Sequence, residues 1–153
     1  MKTIMFLLFA LISGKAITQE VVIQSFETLN NKRAIECELI QVINQKYVKI
    51  IFHSEHDSYN KGYIRLNNTN EIDSFINDMN EVIIKYKSNN LFEIVKPQYK
   101  ICSKPKQYQP NKGSYQLYLY ETIKTDSDTF IILTSNSAEE ILNWLKLTKE
   151  QVN

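Results

Sequence analysis

The sequence predicts an α+β domain in which antiparallel sheet is packed by two helices. Three observations carry that prediction. The stretch from Gly62 to Tyr86 reads as a strand, a polar turn and an amphipathic helix. Several other runs alternate apolar and polar residues with the two-residue period of strands. A second helical pattern follows Ser137, near the end of the chain.

The first helix has the clearest pattern. Ile72, Phe75, Ile76, Met79, Val82, Ile83 and Tyr86 recur at spacings of three and four, which places them on one face. Asp73, Asn77, Asp78, Asn80, Glu81 and Lys85 take the other face. Thr69 or Asn70 is the expected cap, and Glu71 and Asp73 sit where the helix dipole favours negative charge. Lys85 and Lys87 occupy the opposite end, as the dipole prefers. Before it, Tyr63, Ile64 and Leu66 form a β-prone run, broken by Asn67, Asn68, Thr69 and Asn70.

The other elements follow in chain order. Val21, Val22, Ile23 and Phe26 suit an edge strand or a docked N-terminal segment. From Ala34 to Ile43, Ile35, Cys37 and Leu39 oppose Glu36, Glu38 and Ile40. A turn at Asn44-Gln45-Lys46 leads into Tyr47–His53, where Val48, Ile50 and Phe52 share a face. After the helix, Leu91 to Val95 either prolongs it or begins a strand, and Tyr99 to Cys102 is strand-like. Pro105, Pro110 and Gly113 mark Ser103–Gly113 as a loop. Tyr115 to Thr122 puts Tyr115, Leu117 and Leu119 on one side and Gln116, Tyr118 and Tyr120 on the other. Thr129–Leu133 is the last strand. The last helix is expected to open with a capping box, Ser137-Ala138-Glu139-Glu140, followed by Ile141, Leu142, Leu145 and Thr148, with Trp144 flanking.

Residues 1–16 read as a signal peptide. Lys2 supplies a basic start, Ile4–Ile12 an apolar run too short to span a bilayer, and Gly14 and Ala16 the small residues of a cleavage site. Residues 17–153 then form a single α+β domain, secreted or periplasmic. No later apolar run is long enough for a transmembrane segment in the mature chain. The formal net charge of +1 gives no footprint for nucleic acid. Export permits a disulfide, so Cys37 and Cys102 are either bridged or two buried free thiols.

The stretch Tyr63–Ile72 echoes Phe130–Glu139, each a strand, a polar turn and a helix start. The echo suggests a β-β-β-α pseudo-repeat, and two independent strand–helix units account for it as well. Gly62-Tyr63-Ile64, Glu71-Ile72-Asp73 and Tyr118-Leu119-Tyr120-Glu121 resemble segments of small exported bacterial α+β proteins of unassigned function. The likeness covers most of the mature chain. It implies export and fold, and no activity.

Chemistry-bearing constellations are few. His53-Ser54-Glu55-His56-Asp57 alone combines metal-ligand residue types, and zinc needs three or four ligands. A metal-assisted hydrolase using His53 and His56 is therefore the enzyme alternative, against the plain reading of a hydrophilic strand end. The chain has no Gly-x-Ser-x-Gly elbow, and its three glycines build no phosphate loop. No cofactor is implied. Tyrosine is the more suggestive residue, with Tyr108, Tyr118 and Tyr120 in the second half. Tyrosine suits contact with protein or carbohydrate, and it also simply favours half-buried strands. If Leu117 and Leu119 face the core, Tyr118 and Tyr120 face outward, partly exposed, beside the loop carrying Tyr108.

The functional expectation is thus a non-catalytic binding or interaction module. The alternatives are the hydrolase and an inhibitor or immunity-type protein contacting its target through the 103–113 loop. Mass spectrometry of native material is expected to find an N-terminus at Ile17; a retained Met1 contradicts the export reading.

Overall fold

The computed structural model describes residues 19–55, 59–106, 114–122 and 129–152. Among these residues eight strands and two helices follow in the order β1 (Val21–Asn30), β2 (Arg33–Val42), β3 (Gln45–His53), β4 (Lys61–Leu66), α1 (Thr69–Lys87), β5 (Phe92–Val95), β6 (Tyr99–Pro105), β7 (Tyr115–Glu121), β8 (Phe130–Leu133) and α2 (Ser135–Thr148). A short 3₁₀ turn, Lys149–Gln151, continues from α2. The strands make two antiparallel four-stranded sheets, β1-β2-β3-β4 and β5-β6-β7-β8, each a meander. The signal-peptide expectation for residues 1–16 lies outside the described residues.

The first sheet is built from hairpins whose turns set the register. Asn31 and Lys32 carry φ of 49° and 73°, so a two-residue turn joins Asn30 to its partner Arg33. The next turn is Ile43-Asn44, because Gln45 already pairs with Val42. It therefore comes earlier than the expected Asn44-Gln45-Lys46. Ile43 holds φ 55°, a costly conformation for a β-branched residue. The N-terminal segment is a full ten-residue edge strand, with a bulge between Val22 and Gln24.

The helix ends show why local chemistry places them. Asn68, rather than Thr69 or Asn70, caps α1: its side chain accepts from the Glu71 N–H at 2.9 Å. The Glu71 carboxylate reaches back to the Asn67 N–H at 2.8 Å, a reciprocal cap one residue further out. At the other end Asn89 enters the left-handed region (φ 52°). Asn89 N–H donates to Tyr86 O and Asn90 N–H to Lys85 O, which closes the helix in a Schellman motif. The chain then runs on into β5 rather than prolonging α1. Thr134, not Ser137, caps α2; its Oγ1 accepts from Ser137 N at 3.1 Å. Ser137 is buried in the first turn, and Glu140 bonds Thr28 and Asn136 instead of closing a capping box.

One contiguous core draws on both sheets and both helices. Ile35, Cys37 and Leu39 of β2, Val48, Ile50 and Phe52 of β3, and Ile64 and Leu66 of β4 point into it. So do Tyr99 and Ile101 of β6, Leu117 and Leu119 of β7, and Ile131 and Leu133 of β8. All six apolar positions of α1 from Ile72 to Ile83 are buried there, with Ile141, Leu142, Trp144 and Leu145 of α2. Phe75 meets Tyr99 edge-on at 4.9 Å between ring centres, and Tyr99 donates its hydroxyl hydrogen to Asp78 at 2.8 Å. The helices run antiparallel to each other: Lys87 at the end of α1 pairs with Glu139, and Lys149 after α2 pairs with Asp73.

Side-chain and turn contacts join the two sheets. The two-residue alternation turns Leu119 and Ile131 toward each other in the β7–β8 ladder, and turns Phe130, Ile132 and Thr134 toward the free side of β8. Phe130 O accepts from the Glu55 N–H at 2.7 Å. Asn30 Nδ2 donates to Ile132 O at 2.7 Å, and Asn30 Oδ1 accepts from Thr134 N at 2.8 Å. The same oxygen accepts from Ser137 Oγ at 2.8 Å. One buried amide thus stands in for a neighbouring strand along β8 and holds the start of α2. Gly62 is a second close approach: a Cβ there would lie 2.7 Å from both the Phe52 ring and Thr129 Cγ2.

Asn30→Ala removes a buried amide and leaves the part-buried Ile132 carbonyl and Thr134 N–H without it, each at a cost of roughly 1 kcal/mol or more, so chemical denaturation is expected to show a loss of about 2 kcal/mol. Asn30→Asp, which cannot donate to Ile132 O, is expected to fail in the same direction. Leu119→Ala, deep in the core, is expected to cost roughly 2–5 kcal/mol in the same assay.

Candidate functional site

The residues with most binding chemistry gather on the face of the second sheet that points away from the core. In β6, Lys100, Cys102 and Lys104 alternate with the core-facing Tyr99 and Ile101. In β7, Gln116, Tyr118 and Tyr120 alternate with Leu117 and Leu119. Register then sets Lys100 beside Tyr120 and Phe130, Cys102 beside Tyr118 and Ile132, and Lys104 beside Gln116.

The aromatic rings form a connected platform. Tyr118 and Tyr120 stack at 6.1 Å between centroids, Tyr118 meets Phe130 at 5.6 Å, and Tyr120 meets Phe130 at 5.1 Å. Lys104 Nζ lies 5.0 Å from the centroids of both tyrosines and donates to the Tyr120 hydroxyl at 2.7 Å. Lys100 Nζ lies 5.0 Å from the Tyr120 centroid, with Glu93 at 3.5 Å. Ammonium groups over ring faces are held by the ring quadrupole. The Tyr118 hydroxyl donates to Gln116 Oε1 at 2.8 Å.

Tyr120 remains partly exposed, but Tyr118 is only 7 % exposed, contrary to the partial exposure expected of it. The reason is packing on the outer face itself: Tyr118 belongs to a small second cluster with Cys102 and Phe130, flanked by Tyr120 and Ile132. Burial, then the neighbouring Tyr120, raise its pKa against the opposing pull of Lys104. Tyr118 is thus the footing of the platform and Tyr120 its accessible ring. Tyr108 lies outside the described residues, as do residues 107–113 of the expected contact loop.

The cysteines are two buried free thiols, not a bridge. Cys37 points into the main core and Cys102 into the cluster on the opposite face of the second sheet, so β6 stands between them. Burial pushes the Cys37 thiol up to about 12, with Glu38 adding to it. Burial also raises Cys102, and Lys104 and Lys100 only partly oppose the rise. A nucleophilic thiol needs the thiolate, so neither environment suits one.

His53 ends β3, half-buried and opposite Lys61, and His56 lies outside the described residues. Glu55 turns instead to Arg33, whose guanidinium lies 3.8 Å from its carboxylate and donates to the carbonyls of Ser54 and Glu55. Among the described residues, no three His, Cys, Asp or Glu side chains gather as a metal site would require. Also among them, no helix is long and apolar enough to cross a membrane.

The lysines and Phe130 are the members of this face that the sequence reading did not single out. The signal was present in Lys100-x-Cys102-x-Lys104, which keeps the two-residue period. It was obscured because Pro105 suggested a loop from Ser103, whereas β6 runs to Pro105, which sits at the strand end opposite Tyr115. Comparison of the sequence with family models and with curated proteins finds no match.

A thiol count with an aromatic disulfide reagent is expected to find no reactive cysteine in the native protein and two after denaturation without reductant. Zero thiols in denaturant would restore the bridge.

Proposed function

We propose that this protein is an exported, non-catalytic binding module that contacts a protein or carbohydrate through the outer face of its second sheet. The observation that supports this reading best is the Tyr118–Tyr120–Phe130 platform with Lys100 and Lys104 set against its rings. Aromatic rings with fixed orientation supply contact area at little entropic cost, and the lysines and hydroxyls supply polar recognition at its margin. Tyr120 is the anchor, Lys104 orients it by hydrogen bond, and Tyr118 braces both from below.

Export belongs to the same proposal. It rests on the apolar segment before Ala16 and on the resemblance to small exported bacterial proteins. So do the finer features of the fold. We read the helices as the cover of the sheets, and the two halves as a pseudo-repeat. Each half is a four-strand meander followed by a helix, one strand longer than the β-β-β-α unit expected from the sequence.

Pull-down from envelope and culture fractions tests the function. The wild-type protein is expected to retain a partner that Tyr120→Ala loses, with the melting temperature of the variant little changed. Tyr118→Ala is expected to lose both binding and stability, because the ring is buried. Equal recovery by wild type and Tyr120→Ala would place the contact elsewhere.

A further inference from the structure

We propose that the outer face of the second sheet takes an acidic protein segment, whose carboxylates bind Lys104 and Lys100. The inference rests on the binding face proposed above and names the chemistry of its partner. Lys100 and Lys104 share the outward row of β6 with Cys102. The Lys106 N–H donates to Ser114 O at 3.0 Å, so the β6–β7 pairing continues and sets Lys106, which is exposed, in the same row. The outward positions of β7 and β8 hold an amide, rings and an isoleucine, and no carboxylate.

Glu55 and Glu93 border this face, and each already has a cation. The Glu55 carboxylate lies 3.8 Å from Arg33, and that of Glu93 lies 3.5 Å from Lys100. Among the described residues, Lys104 and Lys106 make no ion pair. Lys104 gives one N–H to the Tyr120 hydroxyl and keeps two donors. Lys100 and Lys104 Nζ each lie 5.0 Å from the Tyr120 centroid, so the two ammonium groups stand at most about 10 Å apart, whereas β6 spaces their Cα atoms by roughly 13 Å. The two cations thus converge over one ring. Glu93 shows that a carboxylate fits there. Its side chain is 58 % exposed, and an exposed ion pair is weak, so an incoming carboxylate displaces it at little cost.

The rings favour a protein segment over a sugar. A sugar stacks flat on an open ring face. The Tyr120 ring instead has Tyr118 beside it at an interplanar angle of 24°, Phe130 at 32°, and both lysines over it. Its faces are turned to these neighbours, which leaves its edge for a partner. The edge of an aromatic ring is positive where its face is negative, so this contact too suits a carboxylate. An extended chain sets alternate side chains about 7 Å apart on one side, so two acidic residues of one segment reach both ammonium groups.

Fluorescence anisotropy at low salt, with labelled octapeptides of repeating Glu-Ser and of repeating Gln-Ser, tests this. The purified protein is expected to bind the Glu-Ser peptide and not the Gln-Ser peptide. Lys104→Gln is expected to weaken binding about tenfold. Lys46→Gln, on the first sheet, is expected to leave it unchanged. Glu93→Gln frees Lys100 and is expected to tighten binding about threefold, a gain that misfolding does not imitate, so this variant decides if Lys104→Gln proves unstable. Equal binding of the two peptides overturns the proposal, as does a Lys46→Gln variant that binds as weakly as Lys104→Gln. Tighter binding of tetragalacturonate, which carries as many carboxylates as the Glu-Ser peptide, overturns it in favour of an acidic carbohydrate. A partner pulled down by wild type and lost by Tyr120→Ala, with no binding of the Glu-Ser peptide, keeps the binding face and overturns its acidic partner. Failure of both experiments removes the face itself.

Discussion

The fold depends on what happens at the free side of β8. That strand is four residues long and would otherwise leave a row of unpaired backbone groups. The chain meets this need with the Glu55 N–H, which bonds Phe130 O, and with one side chain. The Asn30 amide has a donor and an acceptor in the spacing of a peptide group, and it bonds Ile132 O and Thr134 N as a neighbouring strand would. Its oxygen also takes the Ser137 hydroxyl, so strand edge, helix cap and hairpin turn are fastened at one buried point. The positive-φ turn at Asn31 and Lys32 presents Asn30 there, which gives an apparently idle hairpin tip a structural task.

With the sheets joined, their inward faces and both helices share one core, and the two outward faces are left to differ. The face of the second sheet accumulates rings and lysines in a second small cluster. The face of the first sheet carries cross-strand charge and aromatic pairs instead. There Arg65 lies 3.7 Å from the Tyr47 ring centroid, and Lys49 lies 5.0 Å from that of Tyr63. Tyr47, donating to Glu20, has its pKa pushed up to about 12, first by burial and then by that carboxylate. The ring-and-lysine cluster therefore belongs to the outer face of the second sheet, and the diagonal charge and aromatic pairs to that of the first.

Helix α1 was legible to the residue on its apolar face because helical period is a local property: Ile72 to Ile83 can be read without knowing what they touch. The same holds for the alternation of β2, β3 and β7. The caps were less legible. Asn68 was passed over for Thr69 and Asn70, since a run of four capping-type residues offers several equivalent starts. At α2 the Ser137–Glu140 spacing imitated a capping box, while Ser137 and Glu140 were claimed by Asn30 and Thr28, more than a hundred residues away in sequence.

The sequence by itself determined the α+β class, the inward faces of the strands and the apolar stripes of both helices. Each follows from a period of two or of 3.6 residues, and such periods are written within a few turns of chain. Only the tertiary structure decided that Asn30 completes β8, that Cys37 and Cys102 lie on opposite sides of a sheet, and that Tyr118 is footing rather than surface. Those outcomes depend on which strand lies beside which. Strand neighbourhood is fixed by chain closure and packing over long sequence separations, and no local period records it.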